Sequence, residues 1–278
     1  MTNKNIKYQL DHLPLLPDIV QEFRFLKRNH PQDFDKYITL INRDSIGCSK
    51  VLKVINSKPF CFDHYIDTPT RAINLLGINF THAVLLYEHI KNSFNNDLYA
   101  YGSNILEFDL IALYSTKVAL KWIDSTTCND REKLILPMLI NDIGKFVISS
   151  VLRKEDKSDH FYDLVNSSVN IPSIEKSVVG ATSSEISAYI FKTWKFNNGL
   201  VKTIFYMDNP LDAKENQKVI MQLHAIKTIF NINSPMDKSC INLAFEKLNG
   251  LDFNVKKLRT ILEEIENDFL SAYQKIRK

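Results

Sequence analysis

Glycine is the residue this chain uses most sparingly. Only seven occur in 278 residues, beside nine prolines. Doubly wound α/β domains and β-sandwiches need glycine at phosphate loops and tight turns, so so few glycines lean the chain towards helices joined by short polar connections. The 45% of apolar residues, 11% of residues being aromatic, is enough for a large core and excludes wholesale disorder. The length suits one large domain or two intimately packed ones. Thirty-five basic side chains face 32 acidic ones. With no concentrated basic face in the sequence, nucleic-acid binding is not expected.

Helical periodicity fills in that outline. Pro17 and Asp18 open a helix carrying Ile19, Phe23 and Leu26, and Asp33 opens a second with Phe34, Tyr37, Ile38 and Ile41 on one face. Ser45 is expected to cap a third, with Val51, Leu52 and Ile55 as its stripe, ended by Asn56-Ser57-Lys58-Pro59. Thr68-Pro69 starts a helix that stops at Gly77, and another runs from Phe80 to Phe94. Helices follow from Phe108 to Ile123 and from Asp130 to Leu152, the latter with Pro137 inside it, where a kink or a late start is expected. Further helices fall near 158–168, 173–179, 183–195, 198–207, 214–230 and 239–248. The last, 254–276, aligns Leu258, Ile261, Ile265, Phe269 and Tyr273. No strand-like alternation stands out. The expected fold class is all-α, with residues 95–107 as the boundary between two lobes, 1–104 and 105–278.

The cysteines Cys48, Cys61, Cys128 and Cys240 are widely spaced and form no CxxC pair, which favours reduced packing cysteines in a cytoplasmic protein. The first seven residues are polar and offer no signal-peptide core. No apolar run approaches the roughly 18–20 residues of a membrane span. His82 and His89 share a helix face but lie about 10 Å apart along the axis, too far to hold one metal ion, so both are expected at or partly below the surface.

The most informative stretch is Leu134 to Ile148, an apolar helix interrupted by Asn141-Asp142-Ile143-Gly144-Lys145. It is similar to the heart of HD-type phosphohydrolases, whose His-Asp pair binds metal, except that Asn141 stands in the histidine's place. A neutral amide is a poor transition-metal ligand where imidazole is a good one. Further motifs extend the likeness: Leu13-Pro14-Leu15-Leu16-Pro17, Asn42-Arg43-Asp44, Leu52 to Ser57 with Phe60, Ile66, Ala72 to Gly77, Glu175, Gly180 to Glu185, Trp194, Leu223 to Phe230 and Leu248 to Leu251. In this order and spacing, over about residues 13–270, the chain resembles the HDOD family, HD-related output domains of bacterial signalling proteins.

The resemblance implies an N-terminal helical bundle lobe packed on an HD-like helical lobe. Where related enzymes complete a metal shell, this sequence has Tyr114 or its neighbours, Ser183, Met207 and Asp208; of the HD pair Asp142 survives and Asn141 replaces the histidine. A hydrolytic centre needs several ligands and an open water position, so loss of most ligands removes the mechanism. The expectation is therefore a non-enzymatic regulatory protein acting through protein–protein contacts, without a cofactor. The alternatives are a degenerate phosphohydrolase, or a binder of a nucleotide or cyclic dinucleotide in the remnant cleft. Residues Arg43, Asp44, Asn56, Ser57, Asp142, Glu175 and Glu185 are the expected partner or ligand surface. Asp142 is either a residual ligand or a carboxylate holding local hydrogen bonds. Asp44 also suits a helix start, and Asn56-Ser57 a helix end.

Overall fold

A computed structural model of the chain describes residues 3–60, 65–123 and 128–278. These residues form fifteen α-helices and no strand. They are α1 (Lys4–Asp11), α2 (Asp18–Asn29), α3 (Phe34–Arg43), α4 (Ser45–Ile55), α5 (Pro69–Asn92), α6 (Ile105–Trp122), α7 (Cys128–Ile140), α8 (Gly144–Lys154), α9 (Ser158–Asn166), α10 (Ile171–Val179), α11 (Ser183–Thr193), α12 (Asn198–Phe205), α13 (Gln217–Ile229), α14 (Lys238–Leu248) and α15 (Val255–Arg277).

Most boundaries follow local chemistry. Asp33, Thr68, Asn170, Asn197 and Asp237 each cap the helix that follows, their side chains accepting a first-turn N–H. Asn104 with Glu107, and Thr182 with Glu185, form reciprocal capping boxes. The third expected cap is displaced by one residue. Asp44, not Ser45, is the cap of α4, and its carboxylate takes the Gly47 N–H at 2.9 Å. Gly77, at φ 82° and ψ 161°, breaks α5 into the two expected stretches, which resume without a loop.

Two departures have clear causes. The polar start of the chain is helical: α1 buries Ile6 and Leu10, too few apolar positions to reveal a period. The long helix expected over 130–152 is interrupted at Asn141–Ile143 rather than at Pro137, which sits within α7. Cys61 and His64 lie outside the described residues.

One continuous apolar core runs from Ile6 on α1 to Tyr273 on α15. Its middle is the apolar stretch within Lys133–Lys154; by length and composition that stretch could cross a membrane, yet 89% of its most apolar window is buried against the other helices. Around it α5 packs on α4 and α7, α6 on α7 and α15, α8 on α11, and α13 on α14. Polar clips fasten distant segments. Arg24 of α2 donates to the carbonyls of Trp194 (2.9 Å) and Lys195 and lies 4.3 Å from the centre of the Phe196 ring. In return the Trp194 indole donates to the Pro14 carbonyl at 3.0 Å.

The histidines of α5 correct an expectation. His89 pairs with Asp44 at 2.5 Å, partly buried. His82 is fully inside: it stacks on Phe23 at 4.6 Å, and neither ring nitrogen has a hydrogen-bond partner. Burial, aided by the nearby Lys27 and Arg24 charges, holds its pKa down at about 3. The unfolded chain takes up this proton near pH 6.5, and the folded chain only near the lowered value. His82 therefore costs stability as pH falls below about 6.5, by about 1.4 kcal/mol per pH unit until the folded value is reached. His82→Phe keeps the stack and removes the proton. Urea unfolding at pH 7 and pH 4.5 should show a smaller acid loss in the variant by about one proton, whereas equal losses would refute the assignment.

Candidate functional site

The site grows from the break between α7 and α8. The Asn141 side-chain amide turns back and donates to the Pro137 and Met138 carbonyls at 3.1 and 2.9 Å, finishing α7. The Asn141 carbonyl accepts from the Ser187 hydroxyl at 2.6 Å, and the same hydroxyl accepts the Gly144 N–H at 2.8 Å. Gly144 lies so close to α11 that a Cβ there would fall 2.2 Å from the Ser183 carbonyl oxygen. This close approach brings Asp142 and Lys145 against the serine-rich start of α11.

Two ammonium groups and three carboxylates then interlock. Lys227, reaching in from α13, places its Nζ 2.6 Å from Ser184 Oγ, 2.8 Å from Asp208 and 3.2 Å from Asp142. Three acceptors meet the three protons an ammonium carries. Lys145 lies 3.0 Å from Glu175, 3.1 Å from Ser183 Oγ and 3.3 Å from Asp142, over the face of Tyr101. Glu175 has no exposed surface; it accepts the Tyr101 hydroxyl at 2.8 Å and the Ser183 N–H at 2.6 Å.

The electrostatics follow from this arrangement. Burial by itself would raise the Asp142 and Asp208 pKa values, but Lys145 and Lys227 outweigh it for Asp142, and chiefly Lys227 for Asp208, so both stay below the ordinary carboxylate range. Burial would lower the Lys227 pKa, and the facing carboxylates drive it above the ordinary lysine value instead.

The residues at the metal-shell positions take different parts. Asn141 finishes a helix, Ser183 donates to Asp142 at 3.2 Å, and Asp208 holds Lys227. Met207 is buried and contributes its carbonyl, which accepts the His224 Nδ1–H at 2.7 Å. Tyr114 points elsewhere, packing edge-on against Phe269 at 5.1 Å. From α6 it is Phe108, Ile111, Ala112 and Ser115 that line the small void beside Asp142 and Lys227, because neighbouring helix positions are rotated by about 100°.

The residues expected to form one surface are dispersed. Asp142 and Glu175 belong to the buried network, and Glu185 sits in its capping box, held by Lys176 at 2.6 Å. Arg43 is an exposed partner of Glu22 at 3.0 Å. Asn56 ties the end of α4 to both backbone groups of Ile66, and Ser57 donates to the Val54 carbonyl. Lys227, Lys247 and His224 escaped sequence reasoning. The signal was there for Lys227, which continues the buried α13 stripe of Ile220 and Leu223.

Above the network opens a cleft of about 370 Å³, bounded by Asp142, Asp208 and Lys227 below and by α10, Asn231 and Lys247 around it. A transition metal would not suit this donor set. The two carboxylates that could ligate it are already bound to Lys227, and among the described residues no group of three or more His, Cys, Asp or Glu is placed to hold an ion.

Lys227→Met should destabilise the fold by about 3–5 kcal/mol at pH 7, because it strands the buried Asp208 carboxylate and leaves Asp142 with Lys145 alone. Both aspartates have lowered folded pKa values, so the wild-type advantage is full above about pH 4 and fades as pH falls through those values. Chemical denaturation from pH 3 to pH 7 should thus show a deficit that shrinks on acidification, and a deficit constant with pH would refute the charge argument. Gly144→Ala should cost about 1–3 kcal/mol through overpacking, read as a lower unfolding midpoint.

The HDOD domain model matches residues 13–210. A search of curated proteins finds no match. Among solved structures, a Shewanella amazonensis protein named as a candidate phosphohydrolase superposes with a TM-score of 0.69 at 18% identity, over 98% of both chains. An HDOD domain protein of unknown function from Geobacter sulfurreducens gives 0.64 at 15%, over 97% of this chain and 96% of that one. A candidate signal transduction protein from Marinobacter aquaeolei gives 0.69 at 16%, over all of this chain and 62% of the other. At these identities the structures show a shared fold. The family match covers well over half the sequence and takes in the helix break, Asp142, Lys145, Glu175 and Asp208, and ends before Lys227: the chain belongs to the HDOD family.

Proposed function

We propose that this chain is a non-catalytic regulatory protein of a signalling pathway, working through contacts with other proteins, in which a lysine has taken the place of the HD metal. The observation that carries the reading is the Lys227 ammonium, held by Ser184, Asp208 and Asp142. A catalytic metal keeps a position open for water and lowers that water's pKa. An ammonium whose three protons are all taken offers neither. It supplies the positive charge that buried carboxylates need and leaves the architecture intact.

The family and the Marinobacter neighbour, itself described in signalling terms, agree with a regulatory role. The candidate phosphohydrolase neighbour supplies the competing reading. Purified protein, assayed for bound metal and for hydrolysis of bis(p-nitrophenyl) phosphate with added Mn²⁺, separates the two. The expected result is no stoichiometric metal and no hydrolysis above the uncatalysed rate. Stoichiometric metal that disappears in Asp142→Ala, together with turnover, would overturn the proposal.

A further inference from the structure

The cleft differs between its floor and its mouth. The floor presents two carboxylates, Asp142 and Asp208, beside the ammoniums of Lys145 and Lys227, each ammonium already bound to carboxylates. At the mouth stand Lys176 of α10 and Lys247 of α14. Lys176 is matched by Glu185. Lys247 differs from the other three lysines of the cleft in having no carboxylate among its ion-pair partners in the described residues.

Its one hydrogen-bond partner is a histidine ring. The His224 Nδ1–H is given to the Met207 carbonyl at 2.7 Å, so Nε2 carries the lone pair and accepts from Lys247 Nζ at 2.9 Å. Burial holds the His224 pKa down at about 4, which keeps the ring neutral at physiological pH. Lys247 is thus a half-buried cation braced by a neutral acceptor, with proton-donating capacity left over. Burial also lowers its own pKa, a penalty that an arriving anion would relieve.

The surroundings fit a particular ligand. The first turn of α10, Ile171 to Ser173, borders the same mouth and turns the positive end of its dipole towards it. Deeper in, the walls present neutral polar groups from Asn209, Asn231 and Thr228. The floor offers an anion no free cation, because both of its ammoniums are held by carboxylates.

We infer that the cleft binds a small phosphomonoester with its phosphate outward, on Lys247 and the start of α10, and its neutral polar body inward. This deepens the non-catalytic reading of the cleft and rests on it, because the phosphate then lies away from Asp142 and Asp208. A volume of about 370 Å³ suits a mononucleotide-sized molecule.

The test is calorimetric titration of the full chain with adenosine 5′-monophosphate, adenosine and inorganic phosphate. The monophosphate and inorganic phosphate should bind, and adenosine should bind far more weakly. Lys247→Gln should weaken monophosphate binding by roughly tenfold or more, since a charge-assisted contact is lost. Ser173→Glu puts a competing carboxylate where the α10 dipole favours it, so it should weaken binding without harming the fold. Lys202→Gln, on an exposed pair with Glu215, should change nothing. Both cleft variants should keep the wild-type unfolding midpoint. Absence of binding by inorganic phosphate and the monophosphate up to about 10 mM, or binding indifferent to Lys247→Gln, overturns this proposal and leaves the non-catalytic reading standing. Phosphate released from the bound monophosphate, followed by ³¹P NMR, overturns the non-catalytic reading instead.

Discussion

Three carboxylates inside a helical bundle must be met by positive charge, and the heart of this molecule is arranged around that requirement. Asp142, Asp208 and Glu175 come from three separate segments, and Lys145 and Lys227 bind them together. An isolated buried carboxylate is so costly that it protonates or unfolds its surroundings. A matched group instead turns the cost into a geometric condition, because the ion pairs hold only if α8, α10, α11 and α13 keep their relative positions. Such a network is weak evidence of high stability, since well-packed apolar residues can do as well. It is better evidence of what fixes the relative placement of these helices.

The network depends in turn on short-range sterics. Gly144 allows α8 to press against α11, and the small hydroxyl side chains of Ser183, Ser184 and Ser187 fill the contact while satisfying backbone and ammonium groups. Larger residues at these positions would push α11 outward and break its hydrogen bonds to Gly144, Lys145 and Lys227. Asn141 adds a further constraint by donating to two α7 carbonyls, so the chain leaves that helix in a fixed direction and Asp142 enters the cleft. Asn141 is thus part of the frame.

How much of this could be read in the sequence depends on the range of the interaction. Caps are local, so Asp33, Thr68 and the Thr182–Glu185 box are visible as residue patterns, and the apolar stripe of α15 is equally plain. Helix α1 is hidden because two buried residues make no period, and Pro137 draws attention from the real break at Asn141–Ile143. The loss of the histidine could be seen in one position. Its replacement could not, since Lys227 lies far along the chain and only the fold brings it to Asp142. Which residue of the Tyr114 stretch faces the site is hidden for a related reason: a motif gives the helix, while the facing residue depends on rotation about the helix axis, and there Ser115 lines the void beside Asp142.

The proposed exchange of a metal for a lysine would change what the cleft can do, apart from any change in affinity. A divalent ion binds loosely enough to share its coordination with water and substrate, and its charge is concentrated where a reaction needs it. An ammonium on a buried side chain carries one charge, directs it along three hydrogen bonds and is tethered to the backbone. Once those bonds go to Ser184, Asp208 and Asp142, little field remains to polarise a ligand at the floor. Charge that can still meet a visitor lies at the rim, where Lys247 rests on a neutral histidine. On the proposed reading, a site neutralised within and charged at its edge holds a molecule and does not transform it. Because α10, α13 and α14 all border the cleft, occupancy on that reading would act on how those helices pack and on the surface they offer a partner.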